Sequence, residues 1–189
     1  MSVVGRNAIF PTVVGVCRRK DLIDPIKEAF AKCDDWQGMK STTNYALQNE
    51  TKLQKDLVQE IKEYLSHVLH LNQNIKITTS WWTKVNDKNY WDLHYHNHPN
   101  SWFSAVFYFE DNCEIDFARE ESSISVIPEF CTELTSTVFN MELNAGDLLI
   151  FPSGVLHKAK FAGTNRHSLA INFMPVGLVG EGHSECVYG

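Results

Sequence analysis

A chain of 189 residues, 43% of them hydrophobic, is long enough to bury one sizeable core and short for two domains. Its formal net charge of −6 argues against a broad nucleic-acid or membrane-surface role, since such binding needs a basic face. There is no apolar run of bilayer-spanning length and no charged-then-apolar leader, and the five cysteines (Cys17, Cys33, Cys113, Cys131 and Cys186) lack a C-x-x-C spacing, so the expectation is a reducing cytoplasm with neither a disulfide framework nor a zinc knot.

The chain opens on strand-like sequence, and its basic cluster, Arg18-Arg19-Lys20, reads as a solvated turn. Asp24-Pro25 looks like an N-cap with proline in the first turn of a helix running to about Lys32, with Ile26, Ala29 and Phe30 inward. Thr51 is placed to cap a longer helix to about His70. Leu53, Leu57, Val58, Ile61, Leu65, Val68 and Leu69 recur there at helical spacing and form one stripe, read as a brace against a barrel. His67 and His70 fall at its C-terminal end, where cations are favoured.

From residue 75 the pattern changes to strands, expected at 75–84, 90–96, 102–110, 123–127, 135–142, 147–151, 155–161 and 167–174. Helices first and short strands later indicate an α+β, mainly β fold: a double-stranded jelly-roll barrel, cupin-like, braced by N-terminal helices. The expected single domain has a helical brace over about 21–70, a barrel over about 75–175 and a Gly-rich, frayed tail over 177–189, where Cys186 lies near His183. The 35–50 and 112–135 segments are read as loops suited to walling a binding site.

The most informative stretch is His94-Tyr95-His96-Asn97-His98-Pro99. Residues alternate sides along an extended chain, so the three histidines can point one way, two of them gripping a metal ion while a distant histidine closes the set. His157 follows a buried strand at Phe151-Pro152, and Arg166 and Ser168 then come at a spacing that puts both on one face. An arginine aimed into an apolar barrel is costly unless an anion meets it, and its planar guanidinium suits a carboxylate. Either His94 with His96 or His96 with His98 fits the pattern, and Asp92 shares their parity as a carboxylate ligand or as a hydrogen-bond partner for a ligating histidine. Asp116 falls in a charged, exposed-looking stretch and Asp147 in the turn after Gly146. Asn172 has the parity of Arg166 and Ser168, while Trp82, Trp91, Trp102 and Phe151 are candidates for pocket wall or plain core.

The order strand, His-x-His, several strands, His, then Arg nine positions on and Ser two further resembles the iron(II)- and 2-oxoglutarate-dependent dioxygenases, and within them a branch of hydroxylases common in bacteria and marine phages. The likeness runs through Ile9-Phe10-Pro11-Thr12-Val13-Val14, Ser80-Trp81-Trp82, His96-Asn97-His98-Pro99-Asn100-Ser101, Phe103 to Tyr108, Gly146 to Pro152 with His157, and Arg166 to Phe173. It implies His96, His98 and His157 as iron ligands, Arg166 and Ser168 holding the distal carboxylate of 2-oxoglutarate, and Tyr108 reaching the same group. The implied chemistry uses Fe(II), 2-oxoglutarate and O2, releases succinate and hydroxylates a C–H bond. One departure stands out: the superfamily usually places an aspartate where this chain has His98, which leaves the metal more positive by one charge and opens a cupin-like reading with three histidines and no 2-oxoglutarate. A barrel that binds ligands without catalysis is the third reading. The substrate, a small molecule or a peptide, is not named by any motif, and a homodimer is left open.

Overall fold

Alternation of side chains across strands, more than helical spacing, organises this chain. The computed structural model describes residues 12–34, 36–37, 41–42, 44–86, 93–119, 136–160, 166–180 and 184–189. Its strands are β1 (Gly15–Arg18), β2 (Trp36–Gln37), β3 (Ser41–Thr42), β4 (Asn74–Val85), β5 (Phe103–Tyr108), β6 (Cys113–Ala118), β7 (Val138–Leu143), β8 (Asp147–Pro152), β9 (Leu156–Lys160), β10 (Arg166–Val179) and β11 (Cys186–Tyr188). Two helices accompany them, α1 (Ile23–Ala31), entered through a 3-10 turn at Lys20–Leu22, and α2 (Thr51–Leu69). The larger sheet runs β1-β8-β5-β10-β4-β3-β2, with β11 paired to the far end of β10; the smaller runs β7-β6-β9. This is the mainly β jelly roll with a helical brace that the sequence leads one to expect.

The adjacent strands β5 and β8 of the larger sheet are covered on both sides, which is why they read as nearly unbroken buried runs. Phe103, Ala105 and Phe107 of β5, Leu148 and Ile150 of β8, and Leu169, Ile171 and Phe173 of β10 join Ile26 of α1 and Leu53, Leu57, Ile61 and Leu65 of α2 in one apolar cluster. The alternate residues Val106, Tyr108, Leu149, Phe151 and Ala170 meet Ile115 and Phe117 of β6 and Leu143 of β7 in a second cluster inside the barrel. A one-residue slip of any strand would exchange the two sets, so register is strongly specified. Gly15 on β1 is needed because a Cβ there would overlap the Tyr64 ring of α2. Gly146, at φ +90° in the turn into β8, donates its N–H to the Tyr108 carbonyl at 2.8 Å.

Several local expectations are corrected. The 3-10 turn runs straight into α1, so the N-cap is Leu22 without a side-chain cap, and Asp24 sits in the first turn. Thr51 is likewise the first residue of α2 rather than its cap, which is Glu50. Val68 is 52% exposed, and Tyr64 joins the buried stripe. His70 closes the helix in the left-handed region at φ 55°. Of the basic cluster, Arg18 and Lys20 are exposed as expected, but the arginines are engaged: Arg18 Nε donates to buried Asp147 at 2.8 Å, and Arg19 bonds both Asp21 and Glu60. Asp147 begins β8 and accepts the Asn144 N–H at 2.8 Å. Cys113–Ala118, read as loop, is the central strand of the smaller sheet, and its Asp116 is only 8% exposed. Instead of fraying throughout, the tail pairs, with Gly177, Leu178 and Val179 opposite Tyr188, Val187 and Cys186. Among the described residues no helix is long and apolar enough to cross a membrane. Residues 9–11, Trp91, Asp92, the 123–127 strand, Cys131, the 163–165 turn and His183 lie outside the described residues.

Candidate metal centre

His157 is set by β9, whose partner β6 places Phe117 opposite it on one side. On its other side the chain carrying His96 runs antiparallel. The two residues exchange backbone bonds, His96 N–H to His157 O at 3.0 Å and His157 N–H to His96 O at 2.9 Å. The expected strand over 90–96 is, in its described part, this single bridge. Two residues on, His98 N–H donates to Ser153 O at 2.9 Å, so His98 returns to the side of His96. Ring centroids lie 4.4 Å apart for His96 and His157, 4.9 Å for His98 and His157, and 5.1 Å for His96 and His98. One ring nitrogen from each of the three falls within 4.8 Å of the others.

Backbone carbonyls fix two of the three tautomers. His157 Nδ1 meets Val155 O at 2.9 Å and His96 Nδ1 meets His94 O at 3.1 Å. A carbonyl only accepts, so both Nδ1 atoms carry the proton and both Nε2 lone pairs remain for a ligand. Burial, with His96 adding to it, pushes His98 down to about 4. Burial pushes His157 down to about 3 against the opposing bond to Val155, so both rings are neutral at pH 7, as ligation requires. His98 Nε2 and His157 Nε2 are 3.1 Å apart. Nitrogens about 2.1 Å from a shared ion and about a right angle apart would be about 3.0 Å from each other, so the donor set fits a metal ion. Phe151 packs its ring 4.7 Å from that of His157, and Trp81 lies 5.3 Å from His98.

The same cavity, about 340 Å³, reaches Arg166 and Ser168 on β10 and is walled in part by Trp81, Ile115 and Ala159. Arg166 is 4% exposed. Its Nη2 donates to the Tyr108 hydroxyl at 3.0 Å, and its guanidinium lies 4.9 Å from the Tyr108 ring centroid. Nε and Nη1 are buried and have no hydrogen-bond partner among the described residues. Burial pushes the Cys113 thiol up to about 11 against the pull of that guanidinium, so the thiol is neutral and offers no counter-charge. Ser168, also buried, stands opposite Tyr108 on β5 and Thr83 on β4. A buried guanidinium with two donors unmet among the described residues calls for an anion with paired oxygens.

The structure therefore gathers five of the residues singled out from the sequence, His96, His98, His157, Arg166 and Ser168, around one cavity, with Tyr108 holding Arg166 from behind. His94 lies outside the triad, its ring 6.0 Å from that of His96, though it lines the cavity and its carbonyl holds His96. Trp82 faces the helices, edge-on to Phe30 at 5.5 Å, and the wall is its neighbour Trp81, which sequence reasoning missed. Trp102 packs on the helix-side cluster. Asn172 accepts a bond from Ser104 at 2.7 Å, and Ser104 in turn bonds buried Ser153 at 2.8 Å, a polar tie joining β10, β5 and the turn after β8.

The family model described as "Putative 2OG-Fe(II) oxygenase" matches residues 79–173, and no curated protein matches in sequence. Among solved structures, HygX from Streptomyces hygroscopicus with nickel and 2-oxoglutarate bound is 10% identical with a TM-score of 0.56 over 87% of this chain and 82% of that one. SnoK, a non-heme alpha ketoglutarate dependent carbocyclase from nogalamycin biosynthesis, is 12% identical with a TM-score of 0.61 over 86% and 80%. An oxidoreductase of the 2OG-Fe(II) oxygenase family from Burkholderia pseudomallei is 10% identical with a TM-score of 0.54 over 80% and 76%. These similarities are of fold. Because the family match takes in half of the chain, including every residue of the triad and Arg166, the protein belongs to the 2OG-Fe(II) oxygenase family.

Proposed function

We propose that His96, His98 and His157 hold Fe(II), that Arg166 with Ser168 and Tyr108 holds the distal carboxylate of 2-oxoglutarate, and that the protein hydroxylates a small organic molecule at the open end of this cavity. The observation that carries the reading is the pair of unmet, buried Arg166 donors lining the cavity of the histidine triad. Bound there, iron and 2-oxoglutarate supply the oxidising chemistry, dioxygen being consumed and 2-oxoglutarate decarboxylated to succinate. The protein contributes position and a dry wall. Arg166 neutralises the carboxylate, and Tyr108, itself held fully buried, fixes the guanidinium plane. The Val155 and His94 carbonyls hold the ligating rings in their tautomers. Phe117 and Phe151 pack against the His157 ring and Trp81 against that of His98, covering that side of the triad. A small-molecule substrate agrees with the size of the cavity and with HygX, whose structure has been determined with hygromycin B bound.

A second reading, a three-histidine metalloprotein indifferent to 2-oxoglutarate, is favoured by the absence of a carboxylate from the triad among the described residues. Anaerobic titration of the Fe(II)-loaded protein with 2-oxoglutarate separates the two. A visible charge-transfer band that weakens in Arg166→Ala and vanishes in His157→Ala is the expected result. Metal binding without a band hands the site to the second reading.

A further inference from the structure

In the segment that delivers His96 and His98, the residues His94 to Asn97 are exposed, and His96 is bonded through its backbone to His157 and His98 to Ser153. On the opposite side of this segment from the histidines lies Tyr95, which none of the proposed chemistry uses. We propose that Tyr95 is a positioning residue for the metal centre, strapping the histidine segment to the outer face of the smaller sheet.

The register makes this possible. His96 stands opposite His157 in an antiparallel bridge, so Tyr95 stands beside Lys158; Lys158 is opposite Asp116 on β6, and Asp116 is opposite Asn140 on β7. A polar row thus crosses the outer face directly behind the row of His96, His157 and Phe117 on the inner face. Lys158 Nζ sits 4.7 Å from the Tyr95 ring centroid, within cation–π range. Burial and the neighbouring Asp116 carboxylate together push the Tyr95 hydroxyl above its ordinary value, which puts the hydroxyl end of the ring on the Asp116 side of this row. Asp116 is a fixed anchor, held by Asn140 Nδ2 at 2.9 Å and facing Lys160 Nζ at 3.8 Å. Tyr95 keeps 36% of its surface exposed, its ring covered on the side of Lys158. The aromatic ring is stiff, so locking it fixes the backbone of both neighbours, and two of the three ligating rings are then presented without a large ordering cost when a metal arrives.

The inference rests on the triad being a metal site, and the test separates failure of the two. Co(II) titration with visible d–d spectra is run on wild type, His157→Ala, Tyr95→Ala, Tyr95→Phe and Asp116→Ala, with the exposed Tyr45→Ala as a control, alongside melting of each metal-free protein. The expected result is that Tyr95→Ala binds Co(II) about tenfold more weakly and with an altered spectrum. Tyr95→Phe keeps the ring on Lys158 and loses about half of that effect on a logarithmic scale. Asp116→Ala matches Tyr95→Phe, and combining the two adds nothing, because both remove the same pairing of hydroxyl and carboxylate. Tyr45→Ala leaves affinity and spectrum as in wild type. Wild-type affinity and spectrum in Tyr95→Ala, with binding abolished in His157→Ala, overturn the strap and leave the metal site standing. No Co(II) binding by wild type overturns both. Should Tyr95→Ala fail to fold, Tyr95→Phe with Asp116→Ala decides the question on the same readouts.

Discussion

Two faces of the same strands serve opposite ends. Toward the helices, Phe103, Phe107, Ile150, Leu169, Ile171 and Phe173 form a continuous apolar surface. Each such side chain contributes roughly 1.5–3 kcal/mol by leaving water. Toward the smaller sheet, the alternate positions carry Ser104, Tyr108, Arg166 and Ser168 among the apolar groups, and two Arg166 donors find no partner among the described residues. Each unmet donor costs about 1–3 kcal/mol. The difference teaches that the helix face holds the fold while the barrel face accepts a local loss of stability in exchange for readiness to bind. In a strand only parity separates the two roles, so neighbouring residues answer to different demands.

The largest effect should come from crossing that divide. His157→Ala is expected to weaken metal binding by at least about 100-fold with a small change in stability. Phe107→Ala, one face over, should lower stability by about 3–5 kcal/mol in urea while the folded fraction keeps its metal affinity. If Phe107→Ala weakened metal binding as much as His157→Ala, the faces would not be separable.

Arg166→Met sharpens the comparison, because it should cost function and restore stability together. Loss of 2-oxoglutarate binding by about 100-fold is expected, measured by anaerobic titration, with metal affinity unchanged and the ligand-free protein more stable by about 1 kcal/mol. A less stable variant would mean that the unmet donors impose no burden on the ligand-free fold.

Acid should act on the barrel face selectively. His98 and His157 are held below the ordinary value of 6.5, at about 4 and about 3, because burial opposes their charged forms. The unfolded chain takes up protons near pH 6.5 that the folded protein refuses. Their contribution to the metal-free protein is therefore complete above pH 6.5 and is lost as the pH falls through the interval down to about 3. The urea midpoint should decline from pH 7 to pH 4, less steeply in His157→Leu. An identical slope in that variant would remove His157 as a cause.

The smallest effect expected is from Tyr108→Phe. Losing the acceptor of Arg166 Nη2 should weaken 2-oxoglutarate binding about fivefold and leave metal binding alone. Equal affinity for 2-oxoglutarate would show that packing alone fixes the guanidinium.

Much of this architecture was legible in residue order, and the misses have physical causes. The stripe of α2 is readable because Leu53, Leu57, Ile61 and Leu65 repeat at helical spacing, whereas Val68, near the end of the helix, stays 52% exposed. Strand β6 is hard to read because Glu114 and Asp116 make it look like exposed loop. The alternation of Cys113, Ile115 and Phe117 was present, but its polar residues are tolerated only through Lys160 and Asn140 on neighbouring strands. Trp81 and Trp82 are adjacent and chemically identical, and nothing local says which of them faces the helices. His94, His96 and His98 are equivalent by spacing, and the backbone bridge between His96 and His157 decides which of them stand beside His157.

The sequence by itself determined the periods and the chemical inventory: helical spacing first, alternation after, three histidines at every second position, and an arginine and a serine two apart. These are properties of neighbouring residues, and short-range geometry is sufficient to express them. Only the tertiary structure decided that His98 and His157, 59 residues apart, bring their nitrogens to 3.1 Å, and that Arg166 is buried beside Tyr108 with donors to spare. Those facts depend on strand pairing and burial, which are settled by the packing of the whole chain.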